Sequence, residues 1–151
     1  MFASDPRSAA IFVPIVAFWA WRGGRAARRN LLVALGVLAL SDFVSGVVLK
    51  NAFPRVRPNG TNSSFPSSHA ANSFGQAVYF SLLYPRAAAL LLPIACLVAL
   101  SRVVLGKHWP SDVVAGAAVG AMAGVCGWWT VRRLWGSADV AAGGERPSAQ
   151  E

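Results

Sequence analysis

Charged residues are scarce in this chain. Only 13% of its 151 residues are Asp, Glu, Lys or Arg, against 55% hydrophobic, and the mean hydropathy is +0.47. Such a balance excludes an ordinary soluble domain of this size. Acids are scarcest: six, against fourteen Lys and Arg, for a net charge of +8. The basic excess does not form a nucleic-acid-binding face. It falls in clusters between apolar runs, as loop cations of a helical membrane protein do. The two cysteines, Cys96 and Cys126, lie inside apolar runs. They read as buried small hydrophobes and leave the redox compartment open. With two histidines in the whole chain, few ligands remain for a catalytic zinc site, which takes three. No G-x-S-x-G segment is present, which argues against a serine hydrolase built on that elbow. There is no internal repeat and no sign of a second domain.

What the chain does have is long apolar runs. Five can be marked: roughly Ala9 to Trp21, interrupted by Pro14, then Leu31–Leu49, Ala70–Tyr84, Ala87–Leu105 and Val113–Val131. A helix needs about 20 residues to cross about 30 Å of hydrocarbon. The second, fourth and fifth runs meet this, and the third does if it starts at Ser67. The first lacks a basic leader and is followed by arginines, so a cleaved signal peptide is not expected. The expected fold is therefore an all-α polytopic membrane bundle of about five helices over residues 1–136. An Ala-, Gly- and Pro-rich tail over 137–151 is expected to be disordered and cytoplasmic. Trp19, Trp21, Trp128, Trp129 and Trp135 mark run ends, where amphipathic rings favour the interface. Gly116, Gly120 and Gly124 recur every four residues and predict close helix packing inside the bundle.

The unusual polar residues gather on one side of this plan. They lie in "KNAFPRVRP" (50–58), "PSSH" (66–69) and "SRVVLGKHWPSD" (101–112), and include both histidines, His69 and His108. Lys50, Arg57 and Arg102 would bring three permanent cations into one small volume, so a polyanion is the natural occupant. The amides near Ser67, Ser68 and His69 add a helix N-terminus that favours phosphate. Asp112, four residues after His108, is placed to accept a hydrogen bond from one imidazole nitrogen. The other nitrogen would then be an unprotonated nucleophile or base. His69 becomes the candidate acid for a leaving oxygen. Two histidines with opposite roles around a cationic pocket point to phosphoryl transfer through a phosphohistidine. Arg55 and Lys107, outside these positions, read as interfacial cations facing lipid headgroups. Trp109 reads either as a belt residue or as a cover of the pocket. Asp42, within the second run, reads as support for the site, with Arg102 reaching toward it.

In this order, K-x6-R-P, P-S-x-H and S-R-x5-H-x3-D resemble the three-part signature of the type 2 phosphatidic acid phosphatase (PAP2) superfamily. The likeness covers Lys50 to Asp112. It implies an all-helical membrane fold and metal-independent chemistry without a cofactor. His108 would be the nucleophile, Asp112 its orienting partner and His69 the general acid. Lys50, Arg57, Ser67, Ser68 and Arg102 would hold the phosphate. Two departures stand out. Ser68 replaces the glycine common before the second-motif histidine, and two runs precede the first motif where many membrane members have three. The implied substrate is a phosphorylated lipid, with undecaprenyl diphosphate or a phosphatidate-type lipid foremost and lipid A or phosphatidylglycerophosphate as alternatives. The implied setting is the cell (inner) membrane, multi-pass, with the site facing the periplasm or exterior. A non-catalytic protein that binds anionic lipid is the alternative from another class. Oligomeric state is not determined.

Overall fold

Apolar runs bounded by polar loops leave the backbone few ways to satisfy its own hydrogen bonds in lipid, and helices are the simplest. A computed structural model describes residues 23–60 and 63–141, the last five as backbone only, and every regular element among them is helical. Helix α1 runs Gly24–Ala52, α2 Ser68–Leu83, α3 Ala88–Val104 and α4 Pro110–Ala141. Gly136 breaks the α4 backbone (φ 78, ψ 168). A single 3-10 turn, Pro85–Ala87, joins α2 to α3. Among the described residues, three helical stretches are long and apolar enough to cross a membrane: Gly24–Ala52, Pro85–Val104 and Pro110–Gly136. The expected Ala9–Trp21 segment, and the tail beyond 141, lie outside the described residues.

The helices outrun the apolar runs that announce them. α1 begins at Gly24, not Leu31, because Arg25, Arg28 and Arg29 are good helix formers whose heads can reach the interface. α4 begins at Pro110, where proline suits a first helical position, and carries Asp112 in its first turn, favourable to the helix dipole.

α2 is the hub. It packs against α1, α3 and α4, whereas α1 and α3 do not meet. Its residues are small enough for this place: Ala70 and Ala71 are fully buried and Ala77 nearly so. The glycine stripe of α4 lies directly on it. A Cβ at Gly116 would stand 2.3 Å from the Ser67 carbonyl oxygen, and one at Gly120 only 2.0 Å from that of Ala71. Two backbones meet here with no room for a methyl group, as expected for packing within the bundle. At the other end Tyr79 Oη donates to the Asn30 carbonyl (3.0 Å) and Asn30 Nδ2 to Tyr84 Oη (3.3 Å). Large apolar side chains such as Leu90, Leu97, Val104 and Val114 point outward, as lipid-facing residues do. Cys96 and Cys126, expected to be buried, are also exposed, because α3 and α4 each turn one side away from the hub.

Candidate active site

The polar stretches meet at one end of the bundle around a cavity of about 440 Å³. Its walls come from four parts of the chain: Asp42, Gly46 and Lys50 of α1, Arg57 of the following loop, Ser68 and His69 of α2, and Arg102, Lys107 and His108 from the end of α3 and the loop beyond. Of the eight residues expected to form a site, six therefore face one volume. The other two, Ser67 and Asp112, are fully buried behind it.

Three local devices shape this end. The first is a cap. Ser67 (φ −78, ψ 107) accepts from the Ala70 amide at 3.4 Å, and its own amide donates to the Asp112 carbonyl at 2.9 Å. This starts α2 at Ser68 and ties it to the first turn of α4. Ser67 is thus engaged in holding the helix start, and Ser68 is the serine that lines the cavity. The second is a turn at Gly106, whose φ of 62 suits glycine. The chain doubles back there so that the Lys107 and His108 amides both donate to the Arg102 carbonyl, at 3.1 and 3.2 Å. The third is a π-helical stretch, Val44–Val48, inside α1. On a regular α-helix Asp42 and Lys50, eight residues apart, would be rotated by about 80° from each other. A π turn takes more residues per revolution, which narrows that angle and lets Asp42, Gly46 and Lys50 share one wall.

His108 is 4% exposed, and its Nδ1 donates to the Ser64 carbonyl at 2.8 Å. The proton on Nδ1 leaves Nε2 as the free lone pair. Here the sequence expectation needs correction. Asp112 does not take the imidazole proton directly: its Oδ2 lies 3.8 Å from Nδ1. The carboxylate is held instead by the Trp109 amide (2.8 Å), by Arg55 Nη1 (2.8 Å) and by the Ser64 hydroxyl. His108 lies in the loop before α4 while Asp112 lies on the helix, so the four-residue spacing is not that of one helical face. Ser64 links the two: its hydroxyl donates to Asp112 and its carbonyl accepts from His108. Burial, with Arg57 and Lys50 adding to it, pushes the His108 imidazole below its ordinary range, against the opposite pull of the Ser64 carbonyl and Asp112.

Arg55 and Lys107 are further corrections. Arg55 does not face lipid headgroups as expected; it pairs with the buried Asp112, donates to Ser111 Oγ at 2.8 Å and lies over the Trp109 ring. Lys107 lines the cavity. Trp109 neither lines the cavity nor stands free, since its Nε1 donates to the Val56 carbonyl at 3.1 Å and clamps the 53–57 loop. Asp42 meets Asn72 rather than Arg102: Asn72 Nδ2 donates to Asp42 Oδ1 at 3.2 Å. α2 stands between α1 and α3, and Arg102 Nε donates to Ser101 Oγ at 3.1 Å. Ser64 and Asn72 carried no sequence signal, because one works largely through its backbone carbonyl and the other gains its partner only when two helices pack.

The chain is thus a helical membrane protein with a cationic, histidine-lined pocket at one end of its bundle. The model of the PAP2 superfamily matches residues 30–135, and the chain belongs to that superfamily. It is similar to the lipid A 1-phosphatase of Porphyromonas gingivalis (39% identical over 64% of this chain and 22% of that protein). It is also similar to the putative undecaprenyl-diphosphatase YbjG of Escherichia coli (34%, over 82% and 66%). A third relative is the decaprenylphosphoryl-5-phosphoribose phosphatase of Mycobacterium tuberculosis (38%, over 64% and 59%). The chain thus spans between about a fifth and two thirds of these relatives' lengths.

Proposed function

We propose that this protein hydrolyses a phosphate ester or anhydride carried by a membrane lipid, through a phosphohistidine on His108. One observation carries the reading: a buried imidazole, its Nδ1 proton held by the Ser64 carbonyl, borders a cavity lined by Lys50, Arg57, Arg102, Lys107 and a second histidine. The relatives' names, which refer to lipid A and to polyprenyl lipids, support an anionic headgroup whose tail stays in the bilayer.

In this mechanism Nε2 of His108 attacks phosphorus as the bond to the leaving oxygen breaks, and His69 gives that oxygen a proton. The lipid alcohol, or lipid phosphate, departs. Water then attacks the same phosphorus, its proton passing to His69 as the bond from phosphorus to Nε2 breaks, and inorganic phosphate leaves with His108 restored. The cations take up the charge of the three equatorial oxygens. No step calls for a metal or cofactor. We place the site on the outer face of the cell (inner) membrane. Activity should persist in excess EDTA and be inhibited by vanadate, a mimic of five-coordinate phosphorus. Abolition by chelator with rescue by zinc or magnesium would overturn the metal-free route.

A further inference from the structure

The proposed hydrolysis leaves Asp42 without a role, although it lines the same cavity. Asp42 is exposed on a helix long and apolar enough to span a membrane. A carboxylate there is costly against lipid and is found instead where a polar cavity receives it. Gly46 keeps the space beside it clear: a Cβ at that position would stand 3.6 Å from Ser68 Oγ and 3.8 Å from Asp42 Oδ1. Asn72, which donates to Asp42, lies three and four residues beyond His69 and Ser68, on the same face of α2. Asp42 and Ser68 line the cavity wall beside His69, while Asn72 stands behind that wall and orients the carboxylate. The His69 side of the cavity therefore carries a carboxylate and a hydroxyl. In-line attack from His108 sends the leaving oxygen, and whatever bears it, to that same side.

We propose that Asp42, oriented by Asn72 and flanked by Ser68, is a specificity-determining group that reads the leaving alcohol. It selects a phosphomonoester whose alcohol carries a free hydroxyl beside the phosphate, a sugar or polyol head, over a bare alkyl phosphate or a diphosphate. This rests on the phosphatase reading above. A neighbouring hydroxyl donates to the carboxylate, whereas hydrocarbon there leaves the acceptors unpaired, a strong ground for discrimination. The inner phosphate of a diphosphate would set a second anion against Asp42, a repulsive element of the kind that specificity uses.

The test is phosphate release by the detergent-solubilised full chain from three lipids. Phosphatidylglycerophosphate has a free hydroxyl on the carbon next to the phosphoester; phosphatidate has that carbon esterified; a polyprenyl diphosphate has an anhydride. Wild-type kcat/KM should favour the first over phosphatidate by roughly 10–100-fold, as a hydrogen bond to a charged group allows. Asp42→Ala should bring that ratio close to one. Asp42→Asn keeps an acceptor oxygen but loses the charge, so it should retain part of the hydroxyl preference while raising the diphosphate relative to phosphatidate. A wild type without hydroxyl preference, or equal losses on all three lipids in both variants, would overturn the inference and leave Asp42 a structural support. No release from any of the three by the wild type would instead sink the phosphatase reading, and this one with it.

Discussion

His69 and His108 line the same cavity, but their surroundings differ in kind. The His108 ring is buried and oriented by the Ser64 carbonyl, while His69 is half-buried in the first turn of α2. That difference separates their expected behaviour. An acid matters less when the leaving group is already good. His69→Ala should lose ~10²–10⁴-fold in activity on an alkyl phosphate and far less on an aryl phosphate with an acidic phenol. His108→Ala should be inactive on both, since no phosphoenzyme can form. An acid-labile phosphoryl adduct that forms in His108→Ala but not in His69→Ala would show the roles to be reversed. A pH profile tests the environment of His108. The nucleophile must be neutral, and its value in the fold lies below the ordinary 6.5. The protonated fraction therefore grows only as pH falls through that lowered value, so the acid limb of kcat/KM should lie below 6.5. Measured on the aryl phosphate in His69→Ala, the limb reports His108 with the other histidine absent. Arg57→Gln removes one of the charges that lower it and should move the limb upward. An unmoved limb would mean that Arg57 does not act on His108.

At the scale of elements, the site depends on how closely α2 and α4 approach. Gly120 faces the Ala71 carbonyl with no room for a methyl group, whereas a Cβ at Gly36 in α1 would meet nothing within 4 Å. The two glycines thus form a matched pair. Gly120→Ala should force backbones apart and destabilise by roughly 1–3 kcal/mol, the usual cost of overpacking. Gly36→Ala should instead stabilise by up to about 1 kcal/mol, the helix propensity gain. Thermal melts of the detergent-solubilised protein distinguish them, and equal shifts would contradict the packing. Because Gly116 on the same stripe abuts the Ser67 carbonyl, looser α2–α4 contact should also disturb the helix start that carries Ser68 and His69. The π stretch of α1 shows a different dependence: it lends the cavity only the backbone of Gly46, yet it brings Asp42 and Lys50 onto one wall.

For the whole molecule, polar chemistry is divided between two ends. The cavity occupies one, and Arg25, Arg28, Arg29, Arg86, Arg132 and Arg133 mark the other, where Arg132 lies over Trp128 (4.8 Å) and Arg29 over Trp135 (5.1 Å). Among the described residues these six arginines face five cations at the cavity end. Those at the cavity line it (Lys50, Arg57, Arg102, Lys107) or pair with Asp112 (Arg55), so on the proposed orientation the arginine-rich end should face the cytoplasm. Single cysteines at Asn59 and at Gly24, in a background lacking Cys96 and Cys126, test this with an impermeant thiol reagent. Asn59→Cys should label in intact or outer-membrane-permeabilised cells and Gly24→Cys should not. The opposite pattern would reverse the orientation.

Several features are determined by the sequence alone, because each rests on an interaction local in the chain. Apolar runs of helical length fix an all-helical membrane protein, since lipid leaves backbone groups no other partners. The glycine spacing on α4 marks a close-packed face, and the ordered motifs from Lys50 to Asp112 bring a cationic, histidine-bearing site to one membrane face, because short connections alternate sides. What the tertiary structure decided was which polar atoms touch. The spacing of His108 and Asp112 suggested a direct bond. Packing of the segments around Arg55 and Ser64 against the start of α4 placed Ser64 between them and turned Arg55 inward onto the buried carboxylate. Likewise the partner of Asp42 is Asn72 because α2 separates α1 from α3, and a π turn rotates the wall they share. Hydropathy and spacing record which residues avoid water and how far apart they lie along the chain. Hydrogen-bond partners in a buried polar network are chosen by distances of a few tenths of an ångström between segments remote in sequence, and those exist only once the helices have packed.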